Sequence, residues 1–135
     1  MTSLKRMLET HPHPAGSSGD AARDCIEAAS QCAQACTICA DACLSEEQHL
    51  HHLVSCIRLN LDCADVCRVT AQLLTRPSHR DAPALQAQLE ACIQICNACA
   101  DECARHSTMQ HCRVCAEVCR ACADACEKMA TALVP

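Results

Sequence analysis

The chain contains no phenylalanine, tyrosine or tryptophan. Aromatic side chains usually supply the largest buried areas of a core, so this interior must be built from something else. Only two glycines occur, Gly16 and Gly19, and residues 20–135 contain none. Sheets with several turns draw on glycine, which leaves an all-helical fold. No stretch approaches about 18 uninterrupted apolar residues, the length that reads as a membrane span. The net charge of −5 provides no basic stripe for nucleic acid. The opening MTSLKRMLETHPHPAG has no continuous apolar segment, no paired arginines and no small-residue cleavage site. A cytosolic location is therefore expected.

What is abundant is cysteine, at seventeen residues. Cys25, Cys32, Cys36, Cys39 and Cys43 form a first block, and Cys56, Cys63 and Cys67 a second. Cys92, Cys96, Cys99 and Cys103 form the third, followed by Cys112, Cys115, Cys119, Cys122 and Cys126. Steps of three, four and seven keep each block on one face of a helix. In reducing cytosol such thiols stay unbridged, and an odd number fits poorly with a complete set of disulfides.

A length of 135 residues predicts one domain. Residues 1–19 read as an arm, with a short amphipathic helix from Ser3 to Thr10 through Leu4, Met7 and Leu8. His11-Pro12-His13-Pro14 ends it, and Ala15 to Gly19 form a link. Residues 20–135 read as a cysteine-lined bundle. Its first helix begins at Asp20 and runs to about Leu44. Ser45-Glu46-Glu47-Gln48 has the form of a capping box and opens a second helix that ends near Arg76, before Pro77. Asp81 and Pro83 mark the third helix. Ser107-Thr108-Met109-Gln110 is a second capping box, with a fourth helix from about Thr108 to about Ala132. Short connections make neighbours antiparallel, so the expected fold is an up-down-up-down four-helix bundle with helices of roughly 25 to 30 residues, very roughly 40 Å each. CxxxCxxCxxxC at 32–43 returns at 92–103, the mark of a degenerate hairpin repeat.

Two thiols four residues apart on a helix lie about 5–6 Å from each other and can share one ion without unwinding it. Charge selects the ion. Zinc held by four thiolates leaves a local charge of −2, and several such sites buried together are costly to desolvate. Cu(I) replaces each thiol proton without changing the charge, prefers sulfur and accepts two or three ligands. Cu(I) is the expected cargo, with a zinc or cadmium thiolate buffer as the alternative. Inert packing explains a few buried cysteines, but replacing so many leucines would leave a large cavity cost. Iron–sulfur ligation calls for discrete four-cysteine sets, which these columns do not form. A thiol redox protein needs an exposed low-pKa pair, whereas these cysteines face inward. Sites saturated with thiolate leave no open position for substrate, so no enzyme is expected.

One end gathers His49, His51, His52, His106, Met109 and His111; the other continues the columns with Leu74, Leu85, Leu89, Met129 and Leu133. An entry at the histidine end and an apolar plug opposite follow. His106 lies three residues past Cys103 and His111 four before Cys115, in register with the columns. His49, His51 and His52 read as ordinary loop residues. Asn60 takes an inward position where a cysteine is expected, as a register device or an ion contact. The second helix carries further apolar stripes, Leu50, Val54, Ile57 and Leu61 beside Leu59, Val66, Val69 and Leu73. These predict burial against another copy of the chain, or in part under the N-terminal segment.

These residues resemble the bacterial copper storage proteins, cysteine-rich four-helix bundles that hold many Cu(I) ions. The resemblance covers about residues 20–133 and rests on the CxxxC pairs, the His106 to His111 stretch and the missing aromatics. It points to the cytosolic branch, since the exported branch carries a twin-arginine signal. It implies a tetramer of bundles, cysteine-lined Cu(I) sites, and His106, His111 and Asn60 as candidate ligands at matching places. The expected partners are copper donors or acceptors, proteins or small thiols. One departure is the second helix, with only three cysteines, its column diluted at Leu53 and Asn60.

Overall fold

The computed structural model describes residues 2–13, 19–78 and 80–134. Most of the expected link, Ala15 to Gly19, lies outside them, as does Pro14. Helix α1 spans Thr2–Glu9, α2 Gly19–Leu44, α3 Val54–Leu74, α4 Ala82–Ala104 and α5 Gln110–Leu133. The four long helices are antiparallel. Each packs on two neighbours, in the ring α2–α3–α4–α5 that closes on α2. The repeated CxxxCxxCxxxC motif thus falls on α2 and α4, at opposite corners. Alanines flank the thiol columns, with Ala29, Ala33, Ala64, Ala100, Ala116 and Ala123 all buried. Small residues let the helices approach closely and bring four columns to one axis.

Several helix boundaries differ from those expected. Ser45 does not open a helix; its hydroxyl donates to the Asp41 carbonyl at 3.2 Å and so closes α2. A 3₁₀ turn, Glu47–His52, follows, with no side-chain cap at Glu46. Fully buried Leu53 pins the chain before α3, which at 21 residues is shorter than predicted. The other long helices run 26, 23 and 24 residues, at or below the expected range. The second capping box is also absent. Met109 stands at the N-cap of α5 in extended conformation without a side-chain bond, and its N–H bonds the His106 carbonyl at 3.0 Å. An extra turn therefore precedes α5. The start of α4 follows expectation: the Asp81 carboxylate accepts from the Ala84 N–H at 2.9 Å, with Pro83 in the first turn.

In α1, Leu4 and Leu8 pack against the core, whereas Met7 is 71% exposed and does not belong to its apolar stripe. The plug end is as expected, with Leu74, Leu89 and Met129 fully buried. Thr70, also buried, donates to the Val66 carbonyl and accepts from Gln88 Nε2 at 3.0 Å. That bond ties α3 to α4 where the thiols give way to leucine.

Candidate metal centre

All seventeen cysteines are buried, as the helical spacing demands, and all carry free thiols. Their sulfurs form a continuous network. Cys25 and Cys126 lie 3.6 Å apart beside the plug. Inward of them, Cys67 meets Cys96 at 3.5 Å, Cys92 at 3.8 Å and Cys122 at 3.9 Å. At mid-bundle, Cys32 and Cys36 contact Cys119 at 3.7 and 3.6 Å, while Cys63 reaches Cys32 at 3.9 Å. Cys36 spans the axis to Cys99 at 4.0 Å and touches Cys115 at 3.8 Å. Toward the histidine end, Cys56 and Cys103 lie 3.6 Å apart, and Cys39, Cys43 and Cys112 form a triangle of 3.9–4.0 Å.

The donor sets share corners. Cys32, Cys67, Cys96 and Cys122 have sulfurs mutually within 4.8 Å, and so do Cys32, Cys36, Cys63 and Cys119. Cys36 and Cys119 recur with Cys99 and Cys115; Cys39 serves both Cys43/His111/Cys112 and Cys103/Cys115. Closed tetrahedral zinc sites each claim four ligands outright. Shared corners instead suit a soft monovalent ion that accepts few ligands and bridging sulfur.

Asn60 is fully buried on the α3 thiol face. Its Oδ1 accepts from Cys99 at 3.1 Å, Cys115 at 3.3 Å and Cys103 at 3.6 Å, and its Nδ2 donates to Cys56 at 3.7 Å. The amide occupies a cysteine position and contacts four thiols, three through Oδ1 and one through Nδ2.

At the open end, the His111 ring bridges inside and outside. Nδ1 lies 3.5 Å from Cys39 Sγ and 3.6 Å from Cys112 Sγ, while Nε2 is 3.2 Å from Glu46 Oε2. Burial pushes its pKa down, but the hydrogen bonds and charges of Cys39 and Glu46 outweigh this and leave it raised. His106 turns its Nε2 to Glu102 Oε2 at 2.7 Å; both side chains are mostly buried. Met109 is partly buried against the core. His49, His51 and His52 are exposed on the 3₁₀ turn, with the rings of His51 and His52 3.8 Å apart. Two acidic partners escape the sequence reading. Glu102 was within reach of it, four residues before His106; Glu46 meets His111 only through the fold.

The thiols at this end differ in acidity. Hydrogen bonds from Cys103 and Cys56, opposed by Cys115 and by burial and aided by His111, push Cys39 down to about 6. Cys43 and Cys112 are raised, burial being the largest cause. A lowered pKa makes Cys39 the thiolate nearest the entry, and thiolate is the metal-binding form. The reduced apo-protein should therefore show one thiolate's worth of ultraviolet absorbance titrating near pH 6, absent in Cys39→Ser. Absence of thiolate below the ordinary thiol range would refute the assignment. The same shift bears on stability. Cys39 contributes fully above the ordinary thiol pKa, and that contribution is lost as pH falls through about 6.

A family model described as copper storage protein matches residues 18–131. The chain belongs to the copper storage protein family. Its similarity to solved members is close. The copper storage protein Ccsp of Streptomyces lividans, solved loaded with 10 copper equivalents, is 49% identical over 95% of this chain and 98% of its own, with a TM-score of 0.90. A five-copper structure described as a cytosolic copper storage protein of that organism is 52% identical over 86% of this chain and 97% of its own, at 0.83. Cu(I)-bound BsCsp3, a copper storage protein, is 38% identical over 82% and 98%, at 0.72. The uncharacterized cysteine-rich protein YhjQ of Bacillus subtilis is 41% identical over 68 residues, 50% of this chain. The match spans 58% of that relative's length. The helical bundle is thus the architecture that these solved members share with the chain. No described helix is long and apolar enough to cross a membrane.

Proposed function

We propose that this protein stores Cu(I) in the cytosol, without catalysis, as its relatives' copper-loaded structures suggest. The observation that carries the reading is the corner-sharing of the thiol sets. The ligands are the seventeen cysteines with His111, and Asn60 supplies a neutral amide between Cys56, Cys99, Cys103 and Cys115. Ions enter at the open end past His106, Met109 and His111, and Cys39 captures them first as thiolate. Glu46 and Glu102 orient the two imidazoles, as carboxylates do for metal-bound histidine. Residues 1–19 form an arm, with Leu4 and Leu8 against the core, and residues 20–135 form the bundle.

The assembled form is a homo-oligomer, a tetramer as the family resemblance implies. Val54, Leu61 and Val69 on α3 and Ile38 on α2 are all more than a third exposed and supply apolar area for contact between copies. A light-scattering mass near 14.5 kDa, that of one chain, would overturn this. Donors and acceptors are proteins or small thiols that present Cu(I) at the histidine end.

Competition tests the reading. Reduced apo-protein given Cu(I) in the presence of excess Zn(II) should retain copper and exclude zinc. Retention of about four zinc ions, one per four thiolates, would point to a zinc buffer. In His106→Ala/His111→Ala the final copper content should fall by no more than about one ion, and loading should slow by about tenfold, the low end of ligand-shell effects. Unchanged loading would remove the entry role. Asn60→Ala should lower the copper content by about one ion if the amide is a ligand, and by none if it only sets register.

A further inference from the structure

At the closed end, Arg80 holds a position that copper chemistry does not use. The side chain is half-buried in the α3–α4 turn, and its Nη2 donates to the Leu74 carbonyl at 3.0 Å, capping the C-terminus of α3. Its enclosed Nε has no hydrogen-bond partner among the described residues. No carboxylate among them forms an ion pair with it. Burial holds its pKa below the usual guanidinium range. A cation in such a place is costly unless it is paired.

A cavity of about 260 Å³ opens beside it. Leu73, Ala84 and Leu85 form the apolar wall, and Arg76, Ser78, Arg80 and Asp81 the polar one. Its size falls just below that of pockets for drug-sized ligands. Guanidinium forks match carboxylate and phosphate alike, so local charge decides between them. Two arginines against the Asp81 carboxylate leave one positive charge. A monoanion balances it, whereas a phosphate dianion overshoots and meets repulsion from Asp81. The apolar wall calls for a hydrocarbon body that inorganic phosphate lacks.

We propose that this cavity binds a small organic monocarboxylate. The carboxylate lies on the Nη N–H groups of Arg80 that the Leu74 carbonyl leaves free, flanked by Arg76 and Ser78, and the hydrocarbon body lies on Leu73, Ala84 and Leu85. Occupancy would neutralise the half-buried guanidinium and brace the turn beside Leu74 and Leu85, the plug of the thiol core. The site is independent of the copper reading and is open to test in the apo-protein.

Hexanoate serves as the probe, titrated into the full reduced apo-chain and followed by amide NMR. Saturable binding in the millimolar range is expected, with shifts at Leu73, Ala84 and Leu85. Hexanol, with the same body and no charge, and inorganic phosphate should each bind at least about tenfold more weakly, a difference of about 1.4 kcal/mol. Arg76→Ala, an exposed position, should weaken hexanoate binding several-fold with the circular dichroism unchanged. Arg80→Lys, which keeps the charge but loses the fork, should weaken it further. The proposal is overturned by absence of saturation, by hexanol or phosphate binding as well as hexanoate, or by full affinity in both arginine variants.

Discussion

Saturation with Cu(I) should raise the thermal midpoint of the reduced protein by tens of degrees, past about 90 °C, the range called hyperstable. The apo-bundle has no aromatic side chain, and its axis is filled by small thiols, so its stability should sit at the low end of about 5–15 kcal/mol. Any ion that binds only the folded state adds to that stability, about 2.7 kcal/mol at a hundredfold excess over its dissociation constant. Two or three such ions match the whole apo stability, and the corner-sharing sulfurs offer room for several times as many. A Cu(I) chelator should return the midpoint to its starting value. A shift of only about 5 °C, worth 1–2 kcal/mol, would mean that copper binds outside the core.

Leu89→Ala should cost the apo-protein about 3 kcal/mol, within the 2–5 kcal/mol range for buried leucine, and lower its midpoint by about 10 °C. Leu53, Leu74, Leu89 and Met129 are the bulkiest fully buried side chains. Three of them cluster at the plug, so the apo-bundle's hydrophobic stability is concentrated at one end. Removing a single sulfur, as in Cys36→Ala, should cost about 1 kcal/mol or less, because the transfer term for one small group is modest. Copper loading should mask much of the leucine defect, since the ions tie the same four helices together. Thermal melts of both variants, apo and loaded, check this. Equal losses for Leu89→Ala and Cys36→Ala would show that the plug is not where the apo fold is held.

The thiol interior was legible because helical periodicity leaves little freedom. Steps of three and four place Cys92, Cys96, Cys99 and Cys103 on one face in any regular helix, and the same holds for the blocks on α2 and α5. Asn60 was legible as an inward position for the same reason. Asp81 and Pro83 carried a local start signal that nothing in the tertiary structure opposes. The two serine motifs misled because capping is a competition. The Ser45 hydroxyl is taken by the Asp41 carbonyl at the end of α2, and the turn at His106 to Met109 delays α5 by its own backbone bonds. The partner of His111 was hidden by distance, since Glu46 lies 65 positions away. Arg80 gave no sign in sequence, because its burial follows from the way α3 and α4 meet. Met7 was assigned to the inner stripe of α1 on spacing alone, and so short a helix seats only Leu4 and Leu8.

Inward-facing sulfurs that share corners should bind monovalent copper along one continuous network. Anaerobic titration of the reduced apo-protein with Cu(I), against a competing chelator, addresses it most directly. Uptake should continue past about a dozen ions per chain, approaching one per thiolate as charge balance allows. Saturation near four ions, the count for closed four-thiolate sites, would contradict it.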